Sequence, residues 1–393
     1  MNYNNRVFNF YAGPGALPLP VLERVHAELF NFNRTGMSVM ELSHRSPEIQ
    51  FLIDDSAERI KRLMGLENQF EVLFLQGGGS LQFLMVPMNF SQPGEEIDYI
   101  DTGYWAGKAI RAAQSLGRDL KIIASSVDCN HTSVPDLNQI HPRPGAKFIH
   151  LCSNNTVVGT QFHSFPAMTI PLVADMSSDF MSKEIDVSNL SVIYAHAQKN
   201  VGLAGVTIVL IRPEMLTSIT EDLPEFLDYR THIKSQSNYH TPPCFSIYIT
   251  WQILRWIESD IGGLQSLEQI NQKKASLLYD FIDSTPLFHC AVEPSSRSLM
   301  NVVFTLPNQS LEKQFIHEAS QAGIIGVAGH RTRGGCRVSL YNGVTLEAVE
   351  NLIEFMDKFA KQKRLSYVYI FGGWVKRTET EQMFVDVRFR CST

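Results

Sequence analysis

The chain has 393 residues, 44% of them hydrophobic and 19% charged, and 34 Lys and Arg against 40 Asp and Glu leave a net charge of −6. That length suggests two or three domains or one large one, and the apolar fraction supplies a large core, which excludes a disordered chain. The mild acidity excludes a general electrostatic footprint for nucleic acid, while a local basic pocket for a small anion stays compatible with it.

The first sixteen residues read as an extended N-terminal arm. Pro18 to Phe32 reads as a helix with Val21, Leu22, Val25, Leu29 and Phe30 on one face. Ser46-Pro47-Glu48 opens a second helix with a hydroxyl cap, a proline at the first helical position and an early acid. It runs to about Met64, where Gly65 stops it. Seven short apolar runs follow: FEVLFL (70–75), IDYI (97–100), LKIIA (120–124), KFIHLC (147–152), PLVADM (171–176), SVIYAHA (191–197) and VTIVLIR (206–212). Most are continuous rather than alternating, the pattern of strands buried on both faces. Helical segments between several of them predict an α/β domain with a mainly parallel, seven-stranded sheet. In such sheets ligand groups gather past the strand carboxyl ends.

From about Thr241 the pattern changes. A long helix (Phe245 to Ser259) meets Gly262-Gly263, and another follows to about Ser284. Then come a strand (301–306), a helix (311–322), a strand (337–341) and a helix (345–361). We expect a large domain over 17–262 and a smaller α+β domain over 263–363. Residues 364–393 hold two β-like runs, SYVYIF and MFVDVRF, around Gly372-Gly373, and read as an appended hairpin or a poorly ordered tail.

No run of eighteen apolar residues occurs, and the start lacks the charged-then-apolar layout of a signal peptide. The six cysteines (Cys129, Cys152, Cys244, Cys290, Cys336, Cys391) are far apart, which suggests neither a disulfide framework nor a zinc site. The expectation is a soluble, cytoplasmic protein with reduced thiols, no metal, and neither membrane nor nucleic acid as partner.

Four features carry chemistry. Lys199, in AHAQKNVGLAGVTIVLIR, follows a buried apolar run and precedes a glycine-bearing turn. Such a lysine is ordinarily solvated; the sharper alternative is a Schiff-base lysine made nucleophilic by desolvation. Asp175 ends PLVAD, where a carboxylate ordinarily caps a turn. Beside Lys199 it suits a second task, keeping the pyridine nitrogen of pyridoxal phosphate protonated. Gly77-Gly78-Gly79-Ser80 lies between a strand and a probable helix, so its backbone N–H groups suit a phosphate. No lysine follows, which argues against a nucleoside-triphosphate loop. Trp105, in DTGYWAGKA, is either core or a stacking face for a flat ring.

Taken together, NFYAGPGALP, GMSVMELSHRS, FLQGGGSLQF, DTGYWA, SNNTVVGTQF, VADMSSDFMS, YAHAQKNVGLAGVT, YHTPP, MNVVF and GHRTRGGCRVSLYN run in order, and the likeness extends from about residue 8 to 361. This series resembles the fold-type I, class V pyridoxal-phosphate aminotransferases and, more narrowly, the phosphoserine aminotransferase family. The resemblance implies pyridoxal 5'-phosphate as cofactor, with Lys199 forming the internal aldimine and shuttling the proton. It implies Asp175 on the pyridine nitrogen, Trp105 stacked on the ring and Thr156 on the phenolic-oxygen side. Gly79, Ser80 and Gln198 would hold the cofactor phosphate. His240 and Thr241 would reach the phosphate of a neighbouring subunit's cofactor, making the protein a homodimer with shared active sites. Arg337 would hold the substrate α-carboxylate, and His44, Arg45, His330 and Arg331 the distal phosphate or γ-carboxylate. Arginine's planar fork suits both anions.

The implied reaction is transamination between O-phospho-L-serine and 2-oxoglutarate, giving 3-phosphohydroxypyruvate and L-glutamate, in serine biosynthesis. 4-Phosphohydroxy-L-threonine, in pyridoxal phosphate biosynthesis, is a further substrate the resemblance implies. Three departures stand out: His240 where the family usually has Asn, Ser80-Leu81 in place of the Arg-Gly of some members, and Ala12 where some members have Ser. An alanine- or serine–glyoxylate aminotransferase is the rival enzyme, and its substrates lack the distal anion that the His-Arg pairs serve. A non-catalytic protein that keeps the fold is the rival of another class; intact Lys199, Asp175 and Trp105 count against it.

Overall fold

A computed structural model describes residues 6–66, 69–219 and 222–370, with side chains to residue 363. The first half comprises β1 (Phe8–Asn9), α1 (Leu19–Glu28), α2 (Pro47–Met64), β2 (Glu71–Leu75), α3 (Gly78–Phe90), β3 (Glu96–Asp101), α4 (Tyr104–Ser115), β4 (Asp119–Ser125), β5 (Ile149–Cys152), β6 (Asn154–Asn155), β7 (Thr160–Gln161), β8 (Leu172–Asp175) and β9 (Val192–His196). The remainder comprises β10 (Thr207–Ile211), α5 (Pro213–Thr217), α6 (Tyr229–Lys234), α7 (Cys244–Arg255), α8 (Leu264–Ser284), β11 (Asn301–Phe304), α9 (Gln309–Gln321), β12 (Ile324–Ile325), β13 (Cys336–Ser339) and α10 (Leu346–Ile370).

The seven apolar runs become one seven-stranded sheet in the order β2-β10-β9-β8-β5-β3-β4. Every pairing is parallel except those of β10, which runs antiparallel to both β2 and β9. The fold is therefore α/β with a mainly parallel sheet, as expected. Alternate strand residues feed two different cores, as the two-residue period requires. Phe74, Ala174, Ile193 and Ile208 pack toward α2 and α7. Leu73, Val173, Tyr194 and Val209 pack toward α3 and α4. A third core joins Phe10 of the arm to Leu278, Phe304, Phe315, Val338, Leu352 and Phe359. The arm itself is stitched on by parallel pairing of β1 with β12.

Local signals were accurate where capping chemistry was present. Ser46 Oγ accepts from Ile49 N at 3.4 Å, and Gly65 ends α2 with φ +64°. Only glycine takes that left-handed conformation without a Cβ penalty. The structure differs in four places. The first helix stops at Glu28, short of the expected Phe32; Asn33 and Arg34 beyond it take positive φ, and Phe30 is 81% exposed rather than core. LKIIA forms β4, but as the edge strand it leaves Ile122 44% exposed. The helix expected over 245–259 is α-helical only to Arg255, and Trp256–Ile261 continue as a π-helix that ends at Gly262 with φ +88°. The β-like run SYVYIF does not form a strand: residues 366–370 continue α10. The helix already running overrides the β propensity of a short aromatic and β-branched stretch. MFVDVRF lies outside the described residues.

Candidate active site

Parallel strands deliver their carboxyl ends to one side of the sheet, and the chemical groups collect there. In register, Cys152 of β5 faces Asp175 of β8, and Asp175 faces Tyr194 of β9. Asp175 is 5% exposed. Its Oδ1 accepts from Ser177 N at 3.0 Å and Ser177 Oγ at 2.6 Å. Among the described residues its other oxygen has no hydrogen-bond partner. Burial raises this carboxyl above the usual range, and the Ser177 bonds and nearby Lys199 oppose that rise. A Cβ on Gly79 would stand 3.4 Å from Ser177 Oγ and 4.0 Å from Asp175 Oδ2, so a side chain there would enter the space above the carboxylate.

Lys199 follows β9 by three residues, in a loop tied down on both sides. Gly15 N donates to Gln198 O at 2.8 Å, and Asn200 Nδ2 donates to Ser178 O at 3.0 Å. Asn342 N donates to Asn200 Oδ1 at 3.1 Å, linking the loop to the C-terminal unit. Lys199 Nζ lies 5.5 Å from the Trp105 ring centre. Trp105 Nε1 donates to Thr156 Oγ1 at 2.9 Å, which fixes the indole plane. The start of α3 lies beside them. Gly77 and Gly78 take φ +84° and +65°, and a Cβ on Gly77 would fall 2.5 Å from Leu81 Cδ2. The first amides of that helix have no intrahelical partner and are free to bind an anion.

Arg337 is half-buried on β13. Its Nη1 donates to Thr156 O at 3.0 Å, and its buried Nε has no partner. Burial lowers its pKa, and no carboxylate among the described residues pairs with it. His330 Nδ1 lies 2.7 Å from Thr332 Oγ1, and its ring is 4.8 Å from that of Tyr104. Its pKa is lowered by burial first, then by Arg337, Arg331 and Lys108. The corner is electropositive in an acidic protein.

These groups line one cavity of about 380 Å³. Gly79, Ser80, Trp105, Thr156, Asp175, Gln198, Lys199, His330 and Arg337 all contribute to its wall. His44, Arg45, His240, Thr241 and Arg331 do not. His44 Nδ1 lies 3.4 Å from Thr241 Oγ1, and His240 Nε2 lies 3.1 Å from Gln76 Oε1. Arg45, His240, Thr241 and Arg331 are exposed. The lining also holds residues that sequence reasoning missed, among them Gly13, Phe83, Cys152, Asn154, Ser177 and His196. Cys152 ends a predicted strand and His196 is the next-to-last residue of another, and that position was the available signal. Size alone does not select this site. Another cavity of about 340 Å³ has Lys147 and Arg212 in its wall. There Lys147 is paired with Glu95 at 2.8 Å and Arg212 is spent on backbone carbonyls. No group of His, Cys, Asp and Glu among the described residues is arranged to hold a metal.

The aminotransferase class-V family model matches residues 7–352. A phosphoserine aminotransferase of Geobacillus kaustophilus is 50% identical over 358 residues, 91% of this chain and 99% of that one. The chain belongs to the phosphoserine aminotransferase family of class-V aminotransferases. Solved members share its fold. The enzyme from Bacillus circulans subsp. alkalophilus superposes with a TM-score of 0.89 at 43% identity, covering 91% of this chain and 99% of that one. The pyridoxal-phosphate-bound enzyme from Trichomonas vaginalis gives 0.85 at 36% identity, covering 90% and 100%. Family membership thus extends across the sheet, the cavity and the C-terminal unit. No helix among the described residues is long and apolar enough to cross a membrane.

Proposed function

We propose that the protein transfers an amino group between O-phospho-L-serine and 2-oxoglutarate, forming 3-phosphohydroxypyruvate and L-glutamate, with pyridoxal 5'-phosphate as cofactor. The observation that carries this reading is the convergence of the Lys199 amine, the unpaired Asp175 oxygen and the Trp105 face in one cavity beside a glycine-rich helix start. The donor set fits the cofactor. Gly79, Ser80 and Gln198 suit its phosphate, and Trp105 its ring face. Asp175 suits the ring nitrogen, and Thr156 the phenolic side. When bound, the protonated pyridine ring supplies an electron sink for the substrate α-carbon.

The chain's own residues then divide the work. Ser177 holds one oxygen of Asp175, leaving the other to keep a proton on the ring nitrogen. Lys199 holds the cofactor and moves the proton at the substrate α-carbon. Arg337, with its unpartnered Nε, binds the α-carboxylate. His330 and Arg331 serve the distal anion. Arg45, His240 and Thr241 are exposed and His44 is half-buried, all four outside the cavity lining, which supports a homodimer in which they complete a partner's site. The separate C-terminal core supports a large domain over 17–262 and a small one over 263–363. The reading is tested by the visible spectrum of the purified protein, before and after adding O-phosphoserine. The expected result is a cofactor absorption band that shifts on addition and returns with 2-oxoglutarate. A protein that stays colourless when pyridoxal phosphate is supplied, or a band indifferent to phosphoserine, would sink it.

A further inference from the structure

Lysines that leave the surface need acceptors, because burying an ammonium without them is costly. Among the described residues, the buried and half-buried lysines mostly obey this. Lys61 pairs with Glu58, Lys363 with Glu318, Lys183 meets His163 O, and Lys274 meets the carbonyls of Leu340, Tyr341 and Val344. Two half-buried lysines make neither an ion pair nor a hydrogen bond: Lys199, whose task is described above, and Lys108.

Lys108 lies on α4, one turn past Tyr104 and Trp105. Its Nζ sits 5.3 Å from the centre of each of those rings. Such a cation is held by the ring faces while its N–H groups stay free. Both rings lead to the cavity: Trp105 lines it, and Tyr104 packs 4.8 Å from His330, which also lines it. The charges that act on His330 are Arg337, Arg331 and Lys108, all cations. Ser80 and Leu81 add no charge at the start of α3. His330 and Arg337 bring this positive set to the cavity wall, while Arg331 and Lys108 lie outside the lining. One member of the set is a compact point charge on a flexible stem, suited to follow a large anion.

We propose that Lys108 is a specificity-determining residue whose ammonium completes the distal-anion corner and favours a dianionic phosphate over a carboxylate. The proposal rests on the reading that Arg337 takes the α-carboxylate, which leaves Lys108, His330 and Arg331 for the far end of the substrate. A phosphate carries nearly two charges at neutral pH and a carboxylate one, so the same ammonium attracts the phosphate more strongly.

The test uses the cofactor-loaded protein and three acids that lack an amino group. 3-Phosphoglycerate has a distal phosphate, glutarate a distal carboxylate, and lactate no distal anion. Calorimetric dissociation constants are compared for the wild type, Lys108→Gln and Lys108→Arg. Lys108→Gln is expected to weaken 3-phosphoglycerate by about tenfold, as the loss of one charge-assisted hydrogen bond implies. Glutarate should weaken less, and lactate and the visible spectrum of the bound cofactor should not change. Lys108→Arg should restore most of the 3-phosphoglycerate affinity. Equal losses for all three acids, or a shifted spectrum, would mean that Lys108 only props up Trp105 and Tyr104, and would overturn the proposal. So would no loss at all. A wild type that binds lactate no more weakly than 3-phosphoglycerate would overturn the phosphoserine reading itself, and this inference with it.

Discussion

The cavity wall and the loops around His44 and His240 hold similar side chains in opposite settings. In the wall, Asp175, Trp105 and Arg337 are each held by a named hydrogen bond and sit at a strand end, in the first turn of a helix and within a strand, respectively. On the loops, Arg45, His240 and Thr241 are exposed and make contacts mainly with one another's neighbours. Cys152, Asp175 and Lys199 of the wall share one frame because one sheet aims its carboxyl ends at one place, and β13 of a second sheet brings Arg337 to them. The loops have no such frame, and in the proposed homodimer a partner subunit's cavity would be their target. Groups preorganised as in the wall are the ones suited to stabilise developing charge.

The hardest blow to the wall is Lys199→Ala, which should abolish turnover and leave no borohydride-reducible cofactor on the protein. A reducible adduct on another lysine, found by peptide mass analysis, would reassign the nucleophile. The loops are tested by mixing Lys199→Ala with Thr241→Ala under subunit exchange. If Thr241 serves the partner's cavity, a mixed dimer has one site with both lesions and one intact site, so activity partly returns. No return despite proven exchange would assign each loop to its own subunit.

The anion-binding groups on the two sides should separate by substrate. Arg337→Ala should depress kcat/KM for phosphoserine, glutamate and alanine alike, by roughly 1.5–3 kcal/mol for a lost charge-assisted bond. Arg45→Ala and Arg331→Ala should depress phosphoserine and glutamate and spare any trace reaction with alanine. Loss of alanine turnover in those two variants would remove the distal-anion role.

The smallest effect concerns the interior beneath the cavity. His150 is buried on β5, 2.7 Å from Tyr194 Oη and stacked on Tyr99 at 4.8 Å. Burial lowers its pKa from 6.5 to about 3. Between those values the unfolded chain binds the extra proton. This contribution to stability is therefore present above pH 6.5 and is lost as pH falls toward 3. The slope from this one group is at most about 1.4 kcal/mol per pH unit. Urea unfolding at pH 7 and pH 5 should show a smaller acid loss in His150→Gln than in the wild type, and equal losses would exonerate His150.

Much of this was legible without coordinates, for a local reason. A continuous apolar run, a Ser-Pro-Glu cap or a glycine stop encodes its conformation within a few residues, so all seven sheet strands and α2 could be read directly. Motif spacing likewise marked Lys199, Asp175 and Trp105, whose chemistry depends on residue type and on position relative to a strand end. Legibility failed where the outcome depends on partners far along the chain. Whether LKIIA is buried depends on its place at the sheet edge. Only tertiary packing brings Arg337 within 3.0 Å of Thr156 O across 181 positions, leaves its Nε and one Asp175 oxygen unpaired, and seats Lys108 over two rings. Residue types and their order declare which groups are available. Desolvation and partnership are properties of position in space, so which groups are left free to react is decided when strands from distant parts of the chain come together.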